Sequence, residues 1–432
     1  MMKKAYFLCA PNLGTLDNWL PVLYKLRKEG YSLVCIVPKA GTMHSFALSN
    51  VLTKISLEIF DQIVYKTHSD HWAVTEFSLA TIKANALTRL KIVYIKIKAL
   101  SPRNRWLLPF GLFVKYIVFI LDRTKIRHVS RKIHLNSRNS VLLYDVSEEK
   151  KKYNLEILQE LQSTPKFSLY HGVSVGYENS QICKNNVDNI TIFSHTSQSK
   201  REYLESYSFL TSDMVKVVGV PKYERWWIDK LIGESNIPKN GYVFLISRAV
   251  NSYFSIDMKL KAANDIKKFV VGKMHLKLII KRHPKEIIGD SVFEDIFGIE
   301  NYGNTWEYSD QHAFAIGNKC LFAISFYSGV VVDMIAINKP TIEYIDLKGL
   351  DEFDNQHSLR IDGEPVFNYR YLGLTLGASN GVEFKACLNK ITNDPETVVS
   401  NLVASFNGLS LHTENSTDFI CSNIARELEN EK

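Results

Sequence analysis

Apolar positions along this chain follow two alternating periods. Residues 4–10 form a short apolar run cut by Pro11-Asn12, which reads as a first strand rather than a leader segment. Residues 15–29 then set Leu16, Trp19, Leu20, Leu23 and Leu26 on one helical face before Gly30. Pro21 lacks an amide hydrogen and fits only a first turn, so the regular helix is expected to start near Asn18. Runs at 32–38 and 62–66 read as strands and 46–55 as a helix, a β-α-β-α-β rhythm that predicts a doubly wound parallel sheet. The rhythm resumes with strands at 140–146, 167–170, 189–194 and 215–220, and helices at 148–162 and 197–208. Residues 225–241, with Pro238 and two glycines, break it and read as a linker. A second α/β run follows, with strands at 242–246 and 276–281 and a helix at 256–271. It continues through an apolar run ending at Ser325, a helix at 329–337 and a strand at 341–345, and the chain from Gly381 reads as helices.

The length of 432 residues supports the same division, since single cores usually stop growing near about 300 residues. The expected plan is an N-terminal Rossmann-like domain (1–224), the linker, a C-terminal domain (242–395) and closing helices (396–432). Six cysteines without paired spacing suit buried thiols in a reducing compartment, and the expected location is cytoplasmic.

Charge changes this picture in one place. Between residues 83 and 138 stand 14 Lys and Arg against a single acid, Asp122, a net +13 within a chain total of +8. The segment interrupts the α/β rhythm, and its stretch 106–121 is almost wholly apolar, broken by Lys115. That stretch is short for a membrane span, which needs roughly 20 residues. An apolar, aromatic-rich run flanked by Arg123, Lys125, Arg127, Arg131 and Lys132 suits a helix lying on an anionic membrane surface. The plainer reading is a buried helix pair with solvated lysines. No nucleic-acid recognition module accompanies the charge, so nucleic acid is not an expected partner.

Chemistry-bearing residues recur where strands end: Asp145, His171, Ser194-His195, Ser247-Arg248, His283-Pro284, and the stretch Ser325-Phe326-Tyr327-Ser328-Gly329. In open parallel sheets ligands bind at that edge, so the pattern predicts a cleft between two Rossmann-like halves. The stretch after Ser325 opens a helix, and unpaired amides there form an anion site suited to nucleotide phosphates. Each residue alone is equally readable as a satisfied structural polar group; their recurrence carries the expectation. Asp-x-Asp and clustered His/Cys patterns are absent from the sequence, so neither metal nor cofactor is expected.

Five short motifs in order resemble the CDP-glycerol glycerophosphotransferases of teichoic-acid synthesis and related polyol-phosphate polymerases. They are Tyr170-His171-Gly172, Phe193-Ser194 with Lys200 and Tyr203, Val218-Gly219-Val220-Pro221-Lys222, Arg282-His283-Pro284, and Ser325 to Gly329 with Asp333 and Lys339-Pro340. The resemblance covers roughly residues 165–350. It departs where Val173-Ser174-Val175-Gly176 follows His171-Gly172, and where Phe326 and Gly329 replace the expected Asp and Ser. His-Pro and Ser-x-x-Ser patterns also resemble bacterial sialyltransferases and Kdo transferases, which use CMP-sugars.

The resemblance implies a GT-B fold and a CMP- or CDP-linked donor, with a transferase building a cell-surface polysaccharide on a lipid-linked or glycan acceptor at the membrane. In that reading Ser247, Arg248, His283, Pro284, Ser325, Ser328, Gly329 and Asp333 hold the donor, Asp333 at its ribose. His171 acts as the base on the acceptor hydroxyl, with Asp145 as alternative base or nucleophile. Two other readings stand beside it: a nucleotide-sugar epimerase or hydrolase resembling the UDP-GlcNAc 2-epimerases, and a non-catalytic membrane-surface scaffold.

Overall fold

The computed structural model describes residues 2–10, 13–38, 49–66, 72–79, 138–145, 152–170, 187–235, 241–251, 253–283, 291–348, 358–361, 364–409 and 414–430, with a few isolated positions between them. The basic insert falls almost wholly outside these, as do Lys115, Arg123, Lys125, Arg127, Arg131, Lys132, His171 and Pro284. Among the described residues no helix is long and apolar enough to cross a membrane.

Two sheets form the chain. The first runs β1 (Lys4–Leu8), β2 (Ser32–Val37), β3 (Gln62–Lys66), β4 (Trp72–Glu76), β5 (Ser140–Tyr144), β6 (Lys166–Leu169), β7 (Ile190–Ser194) and β8 (Val215–Val217). Its spatial order is β4-β3-β2-β1-β5-β6-β7-β8, parallel throughout except for the β3–β4 edge pair. The second comprises β9 (Tyr242–Ile246), β10 (Lys277–Lys281), β11 (Trp306–Tyr308), β12 (Cys320–Ser325), β13 (Thr341–Tyr344) and β16 (Leu376–Ala378), in the order β11-β10-β9-β12-β13-β16. An antiparallel hairpin, β14 (Ser358–Ile361) and β15 (Glu364–Phe367), stands between β13 and β16 in sequence. Both sheets reverse their winding once, between β1 and β5 and between β9 and β12, the switch points at which doubly wound sheets open a crevice.

The strands read as continuous apolar runs because both faces are covered. In β1, Ala5 and Phe7 face the core shared by both halves, while Tyr6 and Leu8 face a smaller cluster on the other side with Val34, Ile36, Leu142 and Ile157. Helices α1 (Gly14–Lys28), α2 (Asn50–Ile59), α3 (Lys152–Glu160) and α4 (Ser197–Ser206) belong to the first half, and α5 (Arg225–Gly233) leads out of it. The second half carries α6 (Ile256–Ile266), α7 (Val292–Phe297), α8 (Ala313–Lys319), α9 (Val330–Ala336), α10 (Gly381–Asn393) and α11 (Pro395–Gly408). The last helix, α12 (Ser416–Asn430), returns to the first half: the Ser416 hydroxyl donates to the Val218 carbonyl at 2.5 Å, and Asp418 pairs with Lys25 of α1.

Several expectations need correction. Helix α1 begins at Gly14 and runs through Pro21. Eight of its side chains besides Pro21 are buried, and their packing outweighs the hydrogen bond that the proline forgoes. Residues 225–233, expected to break the pattern, form a helix, because Trp227, Ile228 and Leu231 share one buried face. The helix after β2 is shifted to Asn50–Ile59, and strand β4 and the β14–β15 hairpin had no counterpart in the pattern.

The return of α12 is a stability element. Its Ile420, Ile424 and Leu428 form one buried stripe, with Ile424 wholly inaccessible. Ile424→Ala should therefore cost about 2–4 kcal/mol, read as a lowered urea midpoint, and an unshifted midpoint would show that α12 is dispensable to the first half.

Candidate functional site

At the second switch point β9 ends in Ser247-Arg248 and β12 ends in Ser325 followed by the turn Phe326 to Gly329. Tyr327 has φ of 70°, left-handed backbone that a bulky residue adopts only when its surroundings force it. Those surroundings are visible. The Arg248 guanidinium donates to the Tyr327 carbonyl and to the Tyr253 hydroxyl, and lies 5.0 Å from both ring centroids. The Tyr327 ring stacks on Phe367 at 3.8 Å, and Tyr369 sits 5.7 Å away. Burial pushes the Tyr327 and Tyr369 phenols far above their ordinary range, so both are neutral donors. Ser325 is fully buried with its hydroxyl lacking a hydrogen-bond partner among the described residues, while Ser328 and Gly329 sit toward the surface of the same turn. The Ser328 hydroxyl accepts from the Val330 amide at 3.4 Å. Helix α9, which follows the turn, is only seven residues long.

Ser247 and His283 converge on one carboxylate. The Ser247 hydroxyl donates to Glu286 at 2.6 Å, and the His283 amide donates to the other oxygen of the same group.

At the first switch point α1 organises the strand ends. The Asn18 side-chain amide donates to the Tyr170 carbonyl at 2.7 Å, and the Trp19 indole donates to the Tyr144 carbonyl at 3.2 Å. These bonds hold the residues immediately before His171 and Asp145; Asp145 itself is 1% exposed. One helix thus sets the ends of β5 and β6 together.

Between the two edges lies a buried charge network that sequence reasoning missed. Asp17, in the first turn of α1, accepts from His312 Nε2 at 3.0 Å and lies 3.7 Å from Lys222. Lys222 pairs with Asp333 of α9 at 2.7 Å, and the Tyr223 hydroxyl donates to the same Asp333 at 3.0 Å. His312 caps α8, its Nδ1 accepting from the Phe314 amide, which turns Nε2 toward Asp17. Burial raises the Asp17 carboxyl, but facing His312 and Lys222 outweigh it and hold it down to about 2. Burial lowers Lys222, yet Asp333 and Asp17 outweigh it and raise it above the ordinary lysine range. Burial pushes neighbouring Lys281 down to about 8, against the pull of Asp310 and Asp17. Asp333, read from sequence as a donor contact, is thus engaged by Lys222 and Tyr223. Lys222 stood in a noted motif, but nothing local marks Asp17 or His312, whose partners are far away in sequence. Among the described residues no group of three or more His, Cys, Asp or Glu could hold a metal ion.

No family model and no curated protein matches this chain. Solved structures match in fold. A UDP-GlcNAc 2-epimerase from Neisseria meningitidis, bound to UDP-GlcNAc, aligns over 99% of this chain and all of its own at 13% identity and a TM-score of 0.52. The S. aureus MnaA–UDP co-structure aligns over 99% of this chain and 97% of its own at 12% identity and a TM-score of 0.55. The wall teichoic acid polymerase TagF covers 68% of this chain and 74% of its own at a TM-score of 0.44. The GT-B-like fold expected from the strand rhythm and the motifs is therefore present. The transferase expectation is overturned, because the likeness over the whole length is to UDP-GlcNAc 2-epimerases. The CMP or CDP donor was implied by a resemblance in short motifs, and motifs of that length recur among enzymes of different chemistry on one fold.

Two outcomes follow from the network. Asp17 titrates low in the folded chain, so its contribution is complete above pH about 4 and lost as pH falls toward 2. Lowering the carboxyl from its ordinary value to about 2 corresponds to roughly 2.5 kcal/mol, which Asp17→Asn should remove from the acid limb of a stability-versus-pH profile. Lys222→Ala leaves Asp333 without its cation and should cost about 3–5 kcal/mol in urea unfolding. Adding Asp333→Asn should recover part of that loss; purely additive losses would show the pair is not coupled.

Proposed function

We propose that this chain is a nucleotide-sugar epimerase or hydrolase, taking a UDP-linked sugar in the cleft between its two sheets. One observation carries the reading: the strained Tyr327 turn at the β9–β12 switch point, locked by Arg248 beside Ser328 and Gly329. Strain of this kind persists where a binding site is pre-shaped, and this turn lies where a doubly wound sheet holds phosphates. The whole-length fold likeness to enzymes bound to UDP or UDP-GlcNAc supports the choice of nucleotide.

In this proposal the diphosphate lies against Arg248, Ser328 and the amides after Gly329, with Ser247, His283, Pro284 and Ser325 completing that side. The sugar faces the first sheet, where Asp145 and His171 supply acid–base groups. In hydrolysis, water oxygen bonds the anomeric carbon, the base takes its proton, and the nucleoside diphosphate leaves with the electron pair of the broken C–O bond. In epimerisation the base removes a carbon-bound proton as the C–O bond to the nucleoside diphosphate breaks; a proton is then returned on the opposite face as that C–O bond re-forms, with no net change in atoms. Either route places new negative charge on phosphate in a crevice with fixed donors. The +13 insert still suits an anionic membrane surface on the cytoplasmic side, a placement drawn from its charge alone.

UDP and UDP-GlcNAc should raise the melting temperature where CMP and CDP do not, and proton NMR should show UDP-GlcNAc converted to an epimer or to free sugar. Arg248→Ala should abolish the UDP shift. Stabilisation by CDP but not UDP would sink this reading.

A further inference from the structure

The Lys259–Glu286 pair is the most deeply buried ion pair among the described residues, with side chains 0% and 2% exposed and Nζ to Oε1 at 2.7 Å. Lys259 comes from the first turn of α6 and also lies 4.9 Å from the Phe293 ring centroid. Removing both charges from water costs several kcal/mol per ion, and an apolar pair of similar volume is often as stable or more so. Stability alone therefore gives no reason for this pair.

Its other bonds do. Glu286 Oε1 also accepts from the Ser247 hydroxyl at 2.6 Å, and Oε2 accepts from the His283 amide. The Glu286 amide donates back to the His283 carbonyl at 2.9 Å, closing the loop after β10 on itself. One carboxylate thus fastens the end of β9, the end of β10 and helix α6 together. A methionine or leucine in its place would fill the space but offer neither Ser247 nor His283 an acceptor.

We infer that Glu286 is a positioning residue, with Lys259 as its counter-ion: it fixes the Ser247-Arg248 and His283 turns as one rigid wall against a nucleoside diphosphate. This rests on the nucleotide-sugar reading above. Arg248 sits one residue beyond Ser247, so a shift of β9's end moves the guanidinium that locks Tyr327. The wall is preorganised by a group that need not touch the ligand.

The experiment compares wild type with Lys259→Met/Glu286→Leu, measuring melting temperature and UDP affinity by calorimetry. The double variant should melt within a few degrees of wild type or higher, while its UDP Kd rises at least tenfold. A folded double variant with unchanged Kd overturns the inference. Should it fail to fold, Glu286→Gln keeps an acceptor for Ser247 and Lys259 but presents an amide NH2 to the His283 N–H; unchanged UDP affinity there also overturns it. Hydrogen exchange of the peptide holding the His283 amide gives a readout free of ligand. It should quicken in Glu286→Gln, and unaltered exchange overturns the positioning role. Absence of UDP binding by wild type, with the exchange result intact, would instead remove the nucleotide reading.

Discussion

The bridge Asp17–Lys222–Asp333 is the constraint on which the geometry of this protein depends. Its members come from the first turn of α1, the turn after β8 and the helix that follows the Tyr327 turn, so one buried lysine ties both switch points to a common base. Each buried charge has a partner of opposite sign, and Asp333 gains a hydroxyl donor as well. That is the condition under which charges survive desolvation. His312 adds a further contact from the cap of α8. Remove the lysine, and Asp17 keeps only His312 and Asp333 only the Tyr223 hydroxyl among the partners described above.

From that base the two edges are built by different means. On the first sheet α1 works through side-chain donors on neighbouring positions: Asp17 reaches across to the second half while Asn18 and Trp19 hold the carbonyls before His171 and Asp145. Consecutive residues on a helix point about 100° apart, so one turn addresses three targets at once. On the second sheet the turn after β12 is bent into left-handed backbone at Tyr327 and kept there by stacking and by Arg248. Aromatic packing there offsets a backbone cost of order 1–3 kcal/mol.

Much of the fold was legible because its signals are local. Strands such as β3 and β9 sit where their apolar runs and flanking turns place them. Strand β4 was not, since Trp72 to Glu76 is a short amphipathic edge whose order comes from pairing with β3. Residues 225–233 misled because the glycine and proline that suggested a linker lie at and beyond the helix end, while Trp227, Ile228 and Leu231 set its buried face. The strand-end residues around the cleft could be found because polar side chains after apolar runs stand out. The network joining them could not: Asp17 and His312 are 295 residues apart, and no spacing within either segment announces the other.

Function was less legible than fold for a chemical reason. Transfer, hydrolysis and epimerisation of an activated sugar all loosen a bond to phosphate, and all ask the second sheet for the same donors. Under the proposed function, motifs at that edge report the nucleotide end of the substrate and stay silent on the reaction. What separates these reactions is the first-sheet edge, where an acceptor hydroxyl, a water or a carbon-bound proton must meet a base. Here that edge presents Asp145, buried and set by the Trp19 bond to its neighbour, beside a strand end fixed by Asn18. Under the proposed function, a buried acid at that edge is the group that would move a proton at a fixed carbon or water. In that proposal the reaction is decided opposite the turn after β12, on the side that the motifs describe least.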